Sequence, residues 1–223
     1  ADGTRDSWRG QTFYNDCHNA RTLSYDTRHS KDLAMRRRPT DAPQRVISTA
    51  ADMLATYGLN ATSIREVTKR AEAPFGSTYH HFPGGKQQVL AEATALAGSR
   101  IDAMLDEVLR EGVVSGVSRF LALWRERLLK SDFHVGCPVL AAAVEEPIDG
   151  GADDAREAAG VAFTAWERRL AEAFIGEGHA PVQAQALATM LIASVEGAVA
   201  ISRATRDIAA FDRVVERLEA LLR

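Results

Sequence analysis

From Ala42 onward apolar residues recur every three to four positions, and the pattern stops only where Gly or Pro interrupts it. Val46, Ile47, Ala50, Met53, Leu54 and Tyr57 share one helical face. Gly58 follows in the position of a left-handed C-terminal cap. Ser63-Ile64-Arg65-Glu66 pairs a hydroxyl with a Glu three residues later, the sign of a capped helix start. Ile64, Val67 and Ala71 form the inner stripe of this short second helix, which Glu72-Ala73-Pro74 ends. A third short helix is predicted from Gly76 to about Phe82, stopped by Pro83-Gly84-Gly85.

Longer periodic runs follow. Val89, Leu90, Ala93, Leu96, Ala97, Ile101, Met104, Leu105 and Val108 define one, which Gly112 breaks. Val113, Val117, Phe120, Leu121, Trp124 and Leu128 define the next. Gly136-Cys137-Pro138 makes a hinge-like break before the short apolar run from Val139 to Val144, and a loop is expected from Pro147 to Gly151. Ala155 to Ile175 is predicted helical, with Ala159, Ala162, Phe163, Trp166, Leu170 and Phe174 inside. Pro181 suits a helix start and opens a run to about Thr205; a last helix is expected from about Ile208 to Leu222. Strand-like alternation and internal repeats are lacking. The fold class is all-α: three short helices, then about six longer ones. Residues 1–34 carry neither period and are expected to be disordered or an extension, with Met35-Arg36-Arg37-Arg38 the more natural beginning.

Length and composition add limits. The 223 residues, 46% hydrophobic, allow one sizeable core or a small module joined to a larger one. No stretch reaches the roughly 18 unbroken apolar residues of a membrane span, so no membrane partner is expected. Cys17 and Cys137 make a poor disulfide framework, and a reducing cytoplasm is the expected setting. The net charge of −3 is unevenly spread. Residues 36–88 hold eight bases and four acids, a local +4; residues 1–35 cancel, which leaves −7 for the rest. A basic front on an acidic body is the asymmetry of a small module that meets a polyanion.

The segment "APFGSTYHHFPGGKQQ", from Ala73 to Gln88, concentrates the candidate chemistry. A phosphate-binding loop is excluded: His80 stands where a Walker glycine is required, Gln87 follows Lys86, and no strand precedes it. A metal site is not expected, because His80 and His81 point about 100° apart on a helix and no Cys-x-x-Cys or H-E-x-x-H spacing occurs. Two short helices joined by a tight turn fit a helix-turn-helix, whose second helix enters the DNA major groove. Gly76 permits close backbone approach. Ser77, Tyr79 and His81 offer donors to phosphate oxygens, while Lys86 and an Arg36–Arg38 arm supply long-range attraction.

Thr62-Ser63-Ile64-Arg65-Glu66-Val67, the turn at Ala73-Pro74, and Gly76-Ser77-Thr78-Tyr79-His80-His81-Phe82 followed by a lysine resemble the DNA-binding segment of the TetR family of bacterial repressors. The likeness covers about Val46 to Ala93. "APxGSxYHHFPGGKxQ", the later "GCPV" and "SVEGAVAISRATRD" resemble its LmrA/YxaF-like subgroup. Gly84-Gly85 before Lys86 is one residue longer than the usual family spacing. The resemblance implies an all-helical homodimer with an N-terminal three-helix DNA-binding head and a C-terminal ligand-binding and dimerisation body. The divisions are then 1–38 (extension), 39–86 (head) and 87–223 (body). It implies phosphate contacts from Tyr79, His81 and Lys86, and a base-reaching Arg65. Phe75, Gly76 and Ser77 fall at the start of the recognition helix, with Thr62 and Ser63 at the second helix's start. Phe75 departs from the polar residue common in the subgroup; it can pack on a thymine methyl but cannot read a guanine.

The body says less. Met104, Phe120, Trp124, Phe163, Trp166 and Met190 are large and adaptable, and are the candidates for lining an effector cavity. Glu145 and Glu146 read as solvated loop-end charges, with the orientation of a cationic ligand by one of them as the alternative. The Ala-, Ser- and Gly-rich run 184–204 and the apolar stripe of the last helix suit a four-helix dimer interface. The function expected is a ligand-responsive repressor that binds double-stranded operator DNA as a homodimer and is released by a small molecule, drug-like or aromatic. No cofactor is expected. The alternatives are a helical-bundle enzyme, for which no Glu-x-x-His pair exists, and a non-DNA ligand-binding adaptor.

Overall fold

The computed structural model describes residues 42–148 and 153–222, apart from the side chain of Ser77. The expectations for residues 1–38, including the Arg36–Arg38 arm, and for most of the loop at 147–151 lie outside the described residues. Among those described there are nine helices and no strand. They are α1 Ala42–Tyr57, α2 Ile64–Arg70, α3 Phe75–His81, α4 Gly85–Leu109, α5 Val113–Lys130, α6 Pro138–Val144, α7 Asp154–Gly176, α8 Pro181–Thr205 and α9 Ala209–Leu221.

Local chemistry sets most of their ends. Gly58, at φ +84°, donates its N–H to the Leu54 carbonyl and stops α1. The Ser63 hydroxyl accepts the Glu66 N–H at 3.3 Å and starts α2. Gly112, at φ +94°, turns the chain from α4 into α5. Pro181 sits in the first turn of α8, where its missing N–H costs nothing. α6 falls on the short apolar run expected from Val139 to Val144. It has only seven residues, opened by Cys137, whose sulfur accepts the Leu140 N–H, and closed when Glu145 turns extended.

α1, α2 and α3 form a small cluster against the first turns of α4, which continues into the rest of the molecule. Phe82, 3% exposed, caps the end of α3 and is buried in the same core as Val67, Val89 and Leu90. The heart of the larger part is the α4–α7 pair. Gly98 lets the two helices meet so closely that an added Cβ would lie 2.5 Å from the Ala162 Cβ. The Trp166 indole N–H donates to the Gly98 carbonyl across this seam at 2.9 Å. Further along, Arg169 grips Asp102 with two bonds of 2.7 and 2.8 Å and reaches Asp106 at 2.5 Å. The Arg169 guanidinium holds the Asp102 carboxyl below its usual range. α8 packs on α7 and α9. It is long and apolar enough by composition to cross a membrane, yet here one flank is core and the other carries exposed Val182, Met190 and Ile201.

Candidate nucleic-acid interface

The outward surface of α2 and α3 is built by what their inward surfaces do. Ile64, Val67 and Thr68 of α2 are buried, which turns Arg65, Lys69 and Arg70 to the surface. Arg45 of α1 closes the α2–α3 turn from below, its Nε donating to the Ala71 carbonyl at 3.1 Å. The turn passes through Glu72 at φ +50°, a left-handed conformation that glycine or asparagine adopts more readily. On α3, Thr78 is 2% exposed and its hydroxyl donates to the Pro74 carbonyl. Thr78 and Phe82 thus pin one face, and Phe75, Gly76, Tyr79, His80 and His81 stand outward.

Phe75 and Tyr79, each 49% exposed, meet edge to face with ring centroids 5.5 Å apart. That contact fixes both rings while leaving the phenol at the surface. A Cβ added to Gly76 would have no atom within 4 Å. The glycine is therefore not demanded by this chain's own packing or by a positive φ; its value is for something outside. Arg65, Lys69 and Phe75, with Thr68 and Ala73, line a shallow groove of about 540 Å³ between the two helices. Arg70 pairs with Glu66 at 2.8 Å and lies over the Tyr57 ring at 4.9 Å. The pairing lowers the Glu66 carboxyl and raises the Arg70 guanidinium. Tyr57, expected on the inner face of α1, is 51% exposed as a result: as the last residue of its helix it covers α2 from outside.

The sequence-derived candidates divide by position. Arg65, Ser63, Phe75, Tyr79 and His81 are exposed, Gly76 among them, and Lys86 is half-buried in the first turn of α4. Thr62 is buried, 1% exposed, and its hydroxyl donates to the Gly58 carbonyl at 2.7 Å. It braces the α1–α2 turn and does not reach the outer surface. Ser63 is engaged as the α2 cap. In the larger part, Phe120, Trp124 and Trp166 border one small void with Leu170, Ile192 and Glu196. Met104 and Phe163 are partly buried against the core, and neither lines this void. Met190 is 40% exposed and faces away from this void.

A joint that no local sequence pattern marks ties the small cluster to the larger part. Asn60, in the α1–α2 turn, donates its backbone N–H and its amide to Glu145 at 3.1 and 3.2 Å. The amide also donates to the Glu146 carbonyl, and the Asn60 side-chain oxygen accepts the Ile148 N–H. Gly136 donates its N–H to the Ala55 carbonyl, and Arg203 of α8 reaches the carbonyls of Thr56 and His134. Glu145, read from sequence as a solvated charge, is thus a half-buried acceptor. Its partner lies 85 positions away, beyond any local pattern.

Comparison with known proteins agrees with this architecture. Residues 46–93 match the model of bacterial regulatory proteins of the tetR family, and residues 113–217 match the C-terminal domain of LmrA/YxaF-like transcriptional regulators. An uncharacterised HTH-type transcriptional regulator of Mycobacterium tuberculosis is 35% identical over 80% of this chain and 93% of its own. The HTH-type transcriptional regulator LmrA of Bacillus subtilis is 26% identical over 73% and 86%. The solved regulatory protein TetR from Rhodobacter sphaeroides superposes with a TM-score of 0.71 at 21% identity, covering 81% of this chain and 98% of that one. The chain is a transcriptional regulator and not an enzyme: it belongs to the TetR family, with an LmrA/YxaF-like C-terminal domain.

Proposed function

We propose that this regulator is a repressor that binds operator DNA as a homodimer and is released by a small, drug-like or aromatic molecule, in the cytoplasm. In this reading residues 39–86 are the DNA-binding head and residues 87–223 the ligand-binding and dimerisation body. The observation that carries it is the outward face of α3, where exposed Phe75, Tyr79 and His81 flank a glycine with empty space above it, beside the basic α2 residues Arg65 and Lys69.

Each part has a physical role in recognition. α3 enters the major groove, with Gly76 admitting the duplex closely and Phe75 against a thymine methyl. Tyr79, His81 and Lys86 hold phosphates, which positions the helix without reading sequence. Arg65 reaches a base edge; Ser77 joins it from the start of α3. Ser63 and Thr62 support the approach by holding the α2 turn in place. Two heads read a twofold site only when their spacing matches successive grooves, roughly 34–36 Å or a multiple. An effector in the body that favours another spacing weakens DNA binding roughly 5- to 150-fold for 1–3 kcal/mol of coupling. The joint at Asn60 and Glu145 is the contact through which α6 can pass such a change to α1 and α2.

Fluorescence anisotropy with the DNA just upstream of the protein's own gene tests this reading. Saturable binding that resists a large excess of scrambled duplex is expected, with a preference on the order of 10³ or more. Equal affinity for the scrambled duplex sinks the operator reading and favours the adaptor.

A further inference from the structure

α8 is apolar along its length, yet Glu196 sits near its centre between Val195 and Gly197, only 8% exposed. A buried carboxyl without full pairing is costly to a fold that needs only packing there. One side of it engages the Cys137 thiol. The other oxygen, Oε2, has no hydrogen-bond partner and is itself buried. Glu196 is the one charged residue lining the void bordered by Phe120, Trp124, Trp166, Leu170 and Ile192. The Trp166 N–H is already committed to the Gly98 carbonyl, so that ring offers the void its apolar surface and π cloud.

We propose that Glu196 is the anchor of the effector site and that the effector is an aromatic organic cation, its flat body between the Trp124 and Trp166 rings and its charged nitrogen on Oε2. This rests on the reading of the chain as ligand-responsive. A cation is favoured over a neutral donor on two grounds. It neutralises the single buried charge that a neutral ligand would leave desolvated. The Trp166 face also attracts a cation more strongly than a neutral group, whereas the Trp124 ring already carries the Arg127 guanidinium 5.7 Å from its centroid.

The void now has about 10 Å³ of space for a water-sized sphere, room for one water. Occupancy therefore opens the seam where α5 packs lightly on α8. Across Cys137 lies a cleft of about 280 Å³ between α1, α6 and α8, near the lower size of ligand pockets. Cys137 is also the N-cap of α6, and the far end of α6 supplies Glu145 to Asn60. A cation that draws Glu196 from Cys137 thus acts on the helix that holds the head.

Burial raises the Glu196 carboxyl to about 7, and the titratable group facing it is the Cys137 thiol of α6; the void's lining from α4, α5, α7 and α8 holds no other charge. The cation needs the carboxylate, so its affinity should fall about tenfold per pH unit below about pH 7.

The test compares 9-aminoacridine, a cation at neutral pH, with acridine, its neutral three-ring counterpart, by tryptophan quenching on the whole protein. Expected is at least about tenfold tighter binding of 9-aminoacridine by the wild type. Glu196→Gln should erase that preference and leave acridine affinity within about threefold. Should Glu196→Gln fold poorly, the loss of 9-aminoacridine affinity on acidification of the wild type carries the same information. Equal binding of the two dyes, no binding of either, or a preference that survives Glu196→Gln overturns the proposal; a water is then what satisfies Oε2. An operator-release assay with a non-intercalating quaternary anilinium reads the other link. Binding through Glu196 without operator release upholds the cation site but overturns its role as the effector site for that compound; the same outcome for every aromatic cation tried would sink the ligand-responsive reading.

Discussion

Arg65 of α2 and Lys86 of α4 have different proposed roles and should fail differently. Lys86→Ala is expected to weaken binding to all duplexes alike and to lower the salt slope of log affinity by about one. Arg65→Ala should instead flatten the discrimination between operator variants, at about 1–3 kcal/mol for the base pair it reads. Anisotropy titrations across salt and across single-base operator variants separate the two. Glu196 makes a prediction about stability. Its carboxyl is raised on folding from 4.5 to about 7. Its ionisation therefore costs the fold nothing below about pH 4.5, and that cost grows through the window to its full value above about 7. Glu196→Gln should raise stability at pH 8 by up to about 3 kcal/mol and change it little near pH 4.5. Thermal melts of both proteins at the two pH values check this. A melting difference that does not grow with pH would contradict the burial of this group.

Among the elements, α4 and α7 are joined by a contact that admits no side chain. Gly98→Ala should put its new methyl 2.5 Å from the Ala162 Cβ and destabilise the fold by about 1–3 kcal/mol, as overpacking does. Combining it with Ala162→Gly removes the opposing methyl and should recover part of that loss, less the helix cost of glycine, roughly 1 kcal/mol. Denaturant unfolding of the two single variants and the double checks it; simple additivity would mean the seam can spread. This seam was half legible. The spacing of Ala159, Ala162 and Trp166 marks an inner face, but Gly98 reads in sequence as an unremarkable small residue within a helix. Only the crossing of two helices over 60 residues apart gives it a reason.

On the scale of the whole molecule, the proposed dimer needs a surface, and α8 has one. Val182, Met190 and Ile201 are 85%, 40% and 53% exposed, on a helix whose other flank is core. With the outer residues of α9, including exposed Leu221, they form the apolar face a second copy would cover. Ile201→Glu is expected to shift sedimentation from dimer to monomer and, with it, to lower operator affinity far more than loss of a single contact would, since one head then binds alone. A dimer that survives the change moves the interface elsewhere.

Sequence alone determined where the nine helices among the described residues lie and which side of α3 faces out, since period, caps and the Gly and Pro breaks act over a few neighbouring residues. Its error is a local one too: Tyr57, read as inward, ends its helix on the outside. Tertiary structure alone decided that Thr62 braces a turn, that Glu145 holds Asn60, and that Glu196 is sealed beside Trp124 and Trp166 with one oxygen unpaired. Those outcomes depend on which helix faces meet after long stretches of intervening chain. Burial and pairing are properties of that meeting, and no short-range pattern encodes them.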